Sequence, residues 1–425
     1  MPQGARTMRV AILGAGVVGV TTAWYLKELG WDVDVYDRQP DVARETSLAN
    51  GGQISVSHAE PWAAPGVPMK ALKWLGQSDA PLLFRPHADI DQWMWGLRFL
   101  RECTYSRWLA NTKNLIALGL YSRTALQELR NVVPLAYDQA TNGIMHVYTE
   151  TNAFEEAKTH ARAMESLGVG RTLLTPEEAL RYEPALAHLM PRMAGATYTK
   201  SDEHGDALLF TQQLAYYCKM RGVRFHHNTR LTDIERYYNL VSHATATDAG
   251  GQTQRIDADA FVVALGPYSR LFTKSLGLRI PIYPAKGYSA TYNISDFTKV
   301  PSVSVTDESR KVVFSRLDGR FRVAGTAEFN GFDTELNIDR CNALDAATRD
   351  WFEDGVDHDS VQYWTGLRPA TPNNTPWIGK AKPYGNLYWN TGHGTLGWTH
   401  ACGSAKGLAQ IMSGNTPDCA FSWMR

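Results

Sequence analysis

A glycine motif near the start of the chain is placed as a dinucleotide-binding turn requires. The motif G-x-G-x-x-G spans 14–19 and follows an apolar run at 9–13 (RVAIL), which is typical of a strand buried on both faces. Apolar spacing predicts a helix over 17–29 and a second strand over 33–36, which ends at Asp37. This order of elements predicts a β-α-β unit that binds a dinucleotide.

Each residue of the motif has a separate task. Gly14 permits the tight turn, Gly16 lets the pyrophosphate approach the backbone, and Gly19 lets helix and strand pack closely. Asp37 lies 23 residues after Gly14, where its carboxylate can accept hydrogen bonds from ribose hydroxyls and would repel a 2′-phosphate. The motif predicts the nucleotide site but does not distinguish FAD from NAD.

A second glycine motif, GHGTLG at 392–397, follows a predicted strand at 387–389 and opens a predicted helix over 395–412. Only 28 residues follow it, too few for another strand and acid, so it is not a second dinucleotide unit. In a flavoprotein the helix N-terminus could face flavin N1 and its neighbouring carbonyl, where negative charge develops on reduction. The alternative is a flexible entry turn to the last helix.

Two further segments complete the expected cofactor site. A glycine-rich turn, SLANGGQI, occupies 47–54, and Gly266 ends a buried strand predicted over 259–265. The residues expected to contact the cofactor are Val10, Leu13, Gly14, Ala15, Gly16, Val17, Val18, Gly19, Asp37, Arg38, Ser47, Asn50, Gly51, Gly52, Gln53, Ile54, Gly266, Gly392, His393, Gly394, Thr395, Leu396 and Gly397.

Arg368 is the candidate for substrate binding. It stands in the sequence GLRP among apolar residues, and a cation in such surroundings needs a partner. The functional interpretation is a bidentate contact with a substrate carboxylate, and the alternative is a structural salt bridge.

Composition excludes several classes of protein. Of the 425 residues, Lys plus Arg and Asp plus Glu number 43 each, so no net positive charge favours nucleic acid. Five scattered cysteines argue against a disulfide framework and fit a reducing cytoplasm. The apolar stretch at 10–20 is too short for a membrane span. The pairs His226/His227 and His393/His400 lack a third ligand at metal-site spacing, so we expect no metal.

The patterns together predict an α/β fold with two domains. A Rossmann-type, parallel-sheet domain is expected over 8–135, 205–280 and 366–425, with a Trp- and Pro-rich insertion at about 60–110. Alternating polarity over 283–329 predicts an antiparallel-sheet substrate domain, formed by 136–204 and 281–365. The insertion is expected either to rest on a membrane surface or to pack as a lid.

Several stretches, taken in order, resemble the bacterial D-amino-acid dehydrogenases, within the fold group of D-amino-acid oxidase and glycine oxidase. The resemblance covers residues 8–414, nearly the whole chain, and rests on these stretches: VAILGAGVVGVTTAWYL, SLANGGQI, PWAAPGVP, DEHGDALLFTQQLA, FVVALGPYS, GLRPATPNNTPWIG and NTGHGTLGWTHACGS. PWAAPG and GHGTLGW favour the dehydrogenase branch over the oxidases.

The resemblance implies noncovalent FAD and oxidative deamination of D-amino acids such as D-alanine to 2-oxo acids and ammonia. A hydride would pass from Cα to flavin N5, and the electrons would go to a quinone or another respiratory acceptor. It places Arg368 at the carboxylate-binding arginine of the GLRP motif, with Tyr288 and His58 as weaker candidates for a second contact. A cytoplasmic protein, with peripheral contact to the inner face of the inner membrane as an option, fits this activity.

The chain departs from the family pattern before PWAAPG. The family has Pro-Gly-Tyr where this chain has residues 56–58 (VSH), followed by Glu60, so the preferred D-amino acid is left open. A glycine, sarcosine or other secondary-amine oxidase using oxygen is one alternative. A non-catalytic flavin-binding subunit is another.

Overall fold

The computed structural model describes residues 7–69 and 82–419. Its strands are β1 Arg9–Leu13, β2 Asp32–Tyr36, β3 Gln53–Ile54, β4 Leu82–Phe84, β5 Ile144–Tyr148, β6 Thr172–Leu174, β7 Gly195–Thr199, β8 Glu203–His204, β9 Arg224–His226, β10 Arg230–Tyr237, β11 Leu240–Thr247, β12 Thr253–Ile256, β13 Ala260–Val263, β14 Tyr283–Ile294, β15 Ser304–Asp307, β16 Val312–Leu317, β17 Arg320–Phe329, β18 Val356–Ala370, β19 Trp377–Lys380 and β20 Leu387–Thr391.

The α-helices are α1 Val17–Glu28, α2 Ile90–Glu102, α3 Tyr105–Val132, α4 Thr151–Glu165, α5 Pro176–Tyr182, α6 Ala207–Met220, α7 Ser269–Phe272, α8 Ile338–Phe352 and α9 Gly397–Met412. Short 3-10 helices occupy Pro184–Arg192, Gly266–Tyr268, Thr273–Leu276, Glu353–Gly355 and Gly394–Leu396.

A six-stranded sheet carries the predicted dinucleotide unit. Its order is β19-β20-β13-β1-β2-β9, and all neighbours are parallel except β19 and β20. Along β1, Val10 and Ile12 join one buried cluster while Ala11 and Leu13 join another. The strand is thus buried on both faces, as its uninterrupted apolar run predicts.

A nine-stranded sheet has the order β18-β14-β17-β16-β15-β5-β7-β6, with β4 added beside β17. The sheet is mainly antiparallel, as predicted, but two of its pairs are parallel: β15 with β5 and β17 with β4. The second parallel pair arises because β4 comes from the 60–110 insertion and not from a hairpin. The insertion also contributes α2 to the fold; its residues 70–81, with Trp74, lie outside the described chain.

The two faces of this large sheet differ. Cross-strand register aligns Ser289, Ala324, Val313, Thr306 and His146 on one face, which we call the inner face. The opposite face is apolar and packs against α8. The domain boundary expected at 366 falls inside β18, which continues in this sheet to residue 370. The division into two domains otherwise stays a prediction.

Helices α1, α3 and α9 pack closely beside the six-stranded sheet. A methyl group on Gly403 of α9 would lie 2.7 Å from Cα of Ser122 in α3, so the two backbones touch at this point. A methyl group on Gly96 of α2, by contrast, would have no other atom within 4 Å.

We predict that Gly403→Ala lowers the free energy of unfolding by about 1–3 kcal/mol, because the added methyl group forces α9 away from α3. Gly96→Ala is the matched control and should stabilise by up to about 1 kcal/mol through helix propensity. Thermal or urea unfolding of the two variants measures the difference. Equal stability of the two variants would contradict this close contact.

Candidate active site

The first glycine motif forms a turn that a larger residue could not adopt. Gly14 has a φ of +111°, and a Cβ there would lie 2.5 Å from the carbonyl oxygen of Ala264. A Cβ on Gly19 would lie 1.9 Å from the carbonyl oxygen of Gly14. The turn therefore brings the start of α1 directly against the ends of β1 and β13, as the motif predicts.

Asp37 stabilises this turn through two hydrogen bonds with the backbone. One carboxylate oxygen accepts from the backbone N–H of Ala15 at 2.7 Å, and the other accepts from that of Gln39 at 2.9 Å. Burial raises the pKa of Asp37, and the two backbone hydrogen bonds oppose this effect. Beside it, the guanidinium of Arg38 lies over the ring of Tyr268, 4.1 Å from its centre.

A cavity of about 350 Å³ runs from Asp37 to the second glycine motif. Twelve residues of the predicted cofactor set line it: Gly14, Gly16, Val17, Val18, Asp37, Arg38, Ser47, Gly266, Gly392, His393, Gly394 and Gly397. An elongated dinucleotide that extends from the first glycine motif to the second would fit in this cavity. A Cβ on Gly266 would meet no atom within 4 Å, so the space beside this residue is open.

Several other residues that were predicted to contact the cofactor do not line the cavity. Val10 and Leu13 are buried in the sheet, the N–H of Ala15 is used by Asp37, and Gly19 serves packing. Thr395 and Leu396 belong to the 3-10 turn before α9. These residues shape the site without lining the cavity.

The loop at 50–54 lies against the inner face of the nine-stranded sheet. A Cβ on Gly51 would lie 3.3 Å from that of Ala324, and the hydroxyl of Ser315 donates to the carbonyl of Gly51 at 2.8 Å. Arg322 donates to the carbonyl of Asn50 at 3.0 Å. The loop thus joins the two sheets. Gly52, Gln53 and Ile54 complete it, with 53–54 paired to β8.

Sequence reasoning missed part of the cavity wall. The missed residues that line it include Gln39, Ala43, Arg44, Glu45, Thr46, Thr229, Arg230, Leu231, Thr232, Pro267, Tyr268, Leu271, Phe272, Pro369 and Thr391. Six of them lie in connections, and the other nine lie in strands or short helices. None of these segments carries a glycine signature. The approach of residues 229–232 depends on β9 pairing beside β2, which a local pattern does not reveal.

The second glycine motif turns sharply at the far end of the cavity. Gly392 and Gly394 have φ values of +82° and +56°, and α9 begins at Gly397. His393 is 3% exposed, and its Nε2 atom has no partner among the described residues. Burial and the neighbouring His400 lower the pKa of His393 to about 3, so the imidazole is neutral. A buried, unused imidazole nitrogen at this position fits a bound cofactor.

Arg368 lies on the inner face, on β18, one residue before Pro369 of the cavity wall. Its guanidinium lies directly over Gly287 of the neighbouring strand. A Cβ on Gly287 would lie 2.2 Å from Cζ of Arg368. Its Nη1 atom donates to the carbonyl oxygen of Thr326 at 2.9 Å. Gly287 is therefore what permits the arginine to lie flat against the sheet.

The charge of Arg368 is not balanced by the described part of the chain. No described carboxylate lies within 4.0 Å of it, and burial alone lowers its pKa to about 10. The described residues therefore provide no structural salt bridge for Arg368, which was the alternative interpretation. A cation enclosed in this way is stabilised by an anionic ligand.

Two hydroxyl groups on the inner face are also unused. Oγ of Ser289 and Oγ1 of Thr326 are buried and have no hydrogen-bond partner within residues 7–69 and 82–419. Thr326 also adopts a φ of +57°, a conformation that strains a β-branched residue. Neither residue was singled out from the sequence, since an isolated Ser or Thr in a strand carries no signal.

Tyr288 and His58, the weaker candidates for a second carboxylate contact, lie elsewhere. The Tyr288 hydroxyl bonds to Glu328 on the opposite side of the sheet from Arg368, because neighbouring residues of a strand face opposite ways. His58 lies beside His146 on β5, five strand spacings from β18, or roughly 24 Å along the sheet at about 4.8 Å each. Neither residue therefore lies beside Arg368, and neither can share a ligand with it.

Known proteins are similar to this chain over nearly its whole length. The model of the family described as FAD dependent oxidoreductase matches residues 9–411. A D-amino acid dehydrogenase of Dechloromonas aromatica is 49% identical over 418 residues, 98% of this chain and 100% of the relative. One of Bradyrhizobium diazoefficiens is 42% identical, over 98% of this chain and 97% of its own length.

Solved structures share the fold at low sequence identity. Glycine oxidase from Bacillus cereus matches with a TM-score of 0.73 at 19% identity and covers 98% of both chains. L-proline dehydrogenase from P. horikoshii matches with a TM-score of 0.76 at 15% identity, over 99% of this chain and 97% of that one. At these identities the likeness is one of fold.

Proposed function

The chain belongs to the family of FAD-dependent oxidoreductases, and we propose that it oxidises D-amino acids, D-alanine among them, to 2-oxo acids and ammonia. The observation that carries this proposal is the unpaired guanidinium of Arg368 beside the cofactor cavity. The preference for the D-configuration rests on relatives that are 42–49% identical over nearly their full lengths.

The residues of the chain perform the binding and positioning steps. Arg368 pairs with the substrate carboxylate, and Thr326 and Ser289 offer hydroxyls for a further hydrogen bond. A charge-assisted hydrogen bond of this kind contributes about 1.5–3 kcal/mol to binding, and it also orients Cα. FAD, when bound noncovalently, supplies the acceptor for the electron pair of the Cα–H bond.

The last helix of the chain places positive partial charge at the end of the cavity. The N-terminus of α9, preceded by Gly392 and Gly394, directs backbone N–H groups and positive partial charge toward the end of the cavity. The substrate amine reacts in its neutral form, so no side-chain base is required. The imine product then hydrolyses in water to the 2-oxo acid.

A panel of D- and L-amino acids tests the substrate class. Under anaerobic conditions we expect D-alanine and other D-amino acids to bleach the 450 nm flavin absorbance of the purified enzyme, and L-amino acids to leave it unchanged. Bleaching by glycine or sarcosine alone, with stoichiometric peroxide in air, would instead support the secondary-amine oxidase. No bleaching by any amine would support a non-catalytic subunit.

Replacing Arg368 tests the carboxylate contact. We expect Arg368→Leu to retain FAD but to lower kcat/KM for D-alanine by about 10–150-fold, mainly through a higher KM, because a charge-assisted hydrogen bond is lost. Arg349→Leu, at an exposed helix position, is the control and should match the unmodified enzyme. Normal turnover by Arg368→Leu would exclude the contact.

We also propose a quinone as the electron acceptor and peripheral contact with the inner face of the inner membrane. Among the described helices, none is both long and apolar enough to cross a membrane. Helix α2 of the insertion instead exposes large apolar side chains at helical spacing, with exposures of 45–76%: Ile90, Trp93, Met94, Leu97 and Leu100. Such a stripe suits insertion into the lipid interface.

The position of α2 connects this stripe to the site. Its buried Trp95 donates to the carbonyl oxygen of Ala370 at 2.9 Å, two residues beyond Arg368. The exposed stripe therefore lies on the outside of the strand that carries the substrate-binding arginine. Arg98 and Arg101, which are exposed on the same helix, add positive charge for anionic lipid. A lipid-soluble acceptor would approach from this side.

Vesicle binding tests the membrane contact. The double variant Trp93→Ser, Leu97→Ser should bind anionic phospholipid vesicles at least about tenfold more weakly, because each large apolar side chain contributes roughly 1.5–3 kcal/mol when buried. Tyr237→Ser with Tyr238→Ser, an exposed aromatic pair on the β10–β11 hairpin, is the control. Unchanged sedimentation of the α2 variant with vesicles would exclude this helix as the anchor.

A further inference from the structure

A second group of chemically active side chains occupies the inner face far from Arg368. His58, His146 and Glu308 each offer one donor atom, and the three atoms lie within 4.8 Å of one another. The residues are 88 and 162 positions apart in the sequence, so no spacing rule could group them. The fold unites them because β5 and β15 are parallel neighbours and the 55–60 loop reaches both.

The pair His146 and Glu308 has the geometry of a prepared ligand pair. Nδ1 of His146 lies 2.7 Å from Oε1 of Glu308, which fixes the orientation of the imidazole ring. His146 is 2% exposed, so solvent does not compete for this contact. Nδ1 of His146 and Oε1 of Glu308 are therefore two donor atoms that already face each other, and a metal ion would take the place of the proton they share.

The loop that carries His58 is held rigidly. The buried carboxylate of Asp202 accepts hydrogen bonds from Ser55 Oγ at 2.8 Å and from the backbone N–H groups of Val56 and Ser57 at 3.2 and 3.1 Å. Arg171 pairs with Glu60 at 2.8 Å at the other end of the loop. The ring of His58 is thereby presented 4.8 Å from that of His146, centre to centre.

The donor set is chemically suited to a cation. Two imidazole nitrogens and one carboxylate oxygen are ligand types that divalent transition metals take in proteins. Lys311 pairs with Oε2 of Glu308, whereas Oε1 is the oxygen that contacts His146, so Oε1 is the donor available to the cluster.

We propose that His58, His146 and Glu308 bind one divalent transition-metal ion, Zn²⁺ being the ion that this ligand set fits best. Donors around a tetrahedral Zn²⁺ ion lie about 3.4 Å apart, so the His58 ring moves inward by about 1 Å. Its side chain is 47% exposed and has the room to do so. The bound ion links the 55–60 loop to β5 and β15.

Zinc titration of the FAD-loaded enzyme, freed of metals by a chelator, tests the proposal. We expect calorimetry and elemental analysis to give one Zn²⁺ per chain, and the melting temperature to rise with Zn²⁺. His146→Ala and Glu308→Gln should each weaken binding at least about tenfold and abolish the thermal shift.

The control is His243→Ala, which removes a histidine near a glutamate (3.6 Å from Glu235) without a second histidine beside it. It should bind Zn²⁺ like the unmodified enzyme. Two results would overturn the proposal: equal Zn²⁺ affinity in all variants, or no binding by the unmodified enzyme at about 0.1 mM Zn²⁺. Because the readouts are metal content and melting temperature, they are independent of the substrate assignment.

Discussion

The site depends on a positive charge that the described chain encloses but does not neutralise. Arg368 lies flat over Gly287, donates to one backbone carbonyl, and has no described carboxylate within reach. Burying a cation in this way costs free energy unless an anion accompanies it. The inner face therefore favours an anionic group at this position, and the carboxylate of the proposed amino-acid substrate would supply one.

The contacts between the two sheets fix where that charge lies relative to the cofactor cavity. Thr46, which lines the cavity, donates to the carbonyl of Leu367, the residue before Arg368, at 2.7 Å. On the other side, a Cβ on Gly392 would lie 3.0 Å from Cγ2 of Thr371. The end of the strand that carries the arginine is thus held on both sides of Arg368 by segments that line the cavity, so the position of Arg368 is fixed relative to the cavity.

The sequence was most informative where a local motif carries its own geometry. The strand, glycine turn and acid at 9–37 are confirmed in order, since the positive φ of Gly14 and the buried Asp37 are set by neighbours close in sequence. Tyr288 could not be placed, because one residue of register decides which face of β14 it occupies. The approach of His58 to His146 depends on β5 and β15 being neighbours, which no single-chain pattern shows.

A crystal structure of the FAD-loaded enzyme with a competitive carboxylate inhibitor would reveal whether Arg368 binds the substrate carboxylate beside the cofactor. We expect two carboxylate oxygens within about 2.7–3.0 Å of the guanidinium, with the remainder of the inhibitor facing the flavin ring. A carboxylate bound elsewhere, with Arg368 turned away from it, would show that the proposed contact is wrong.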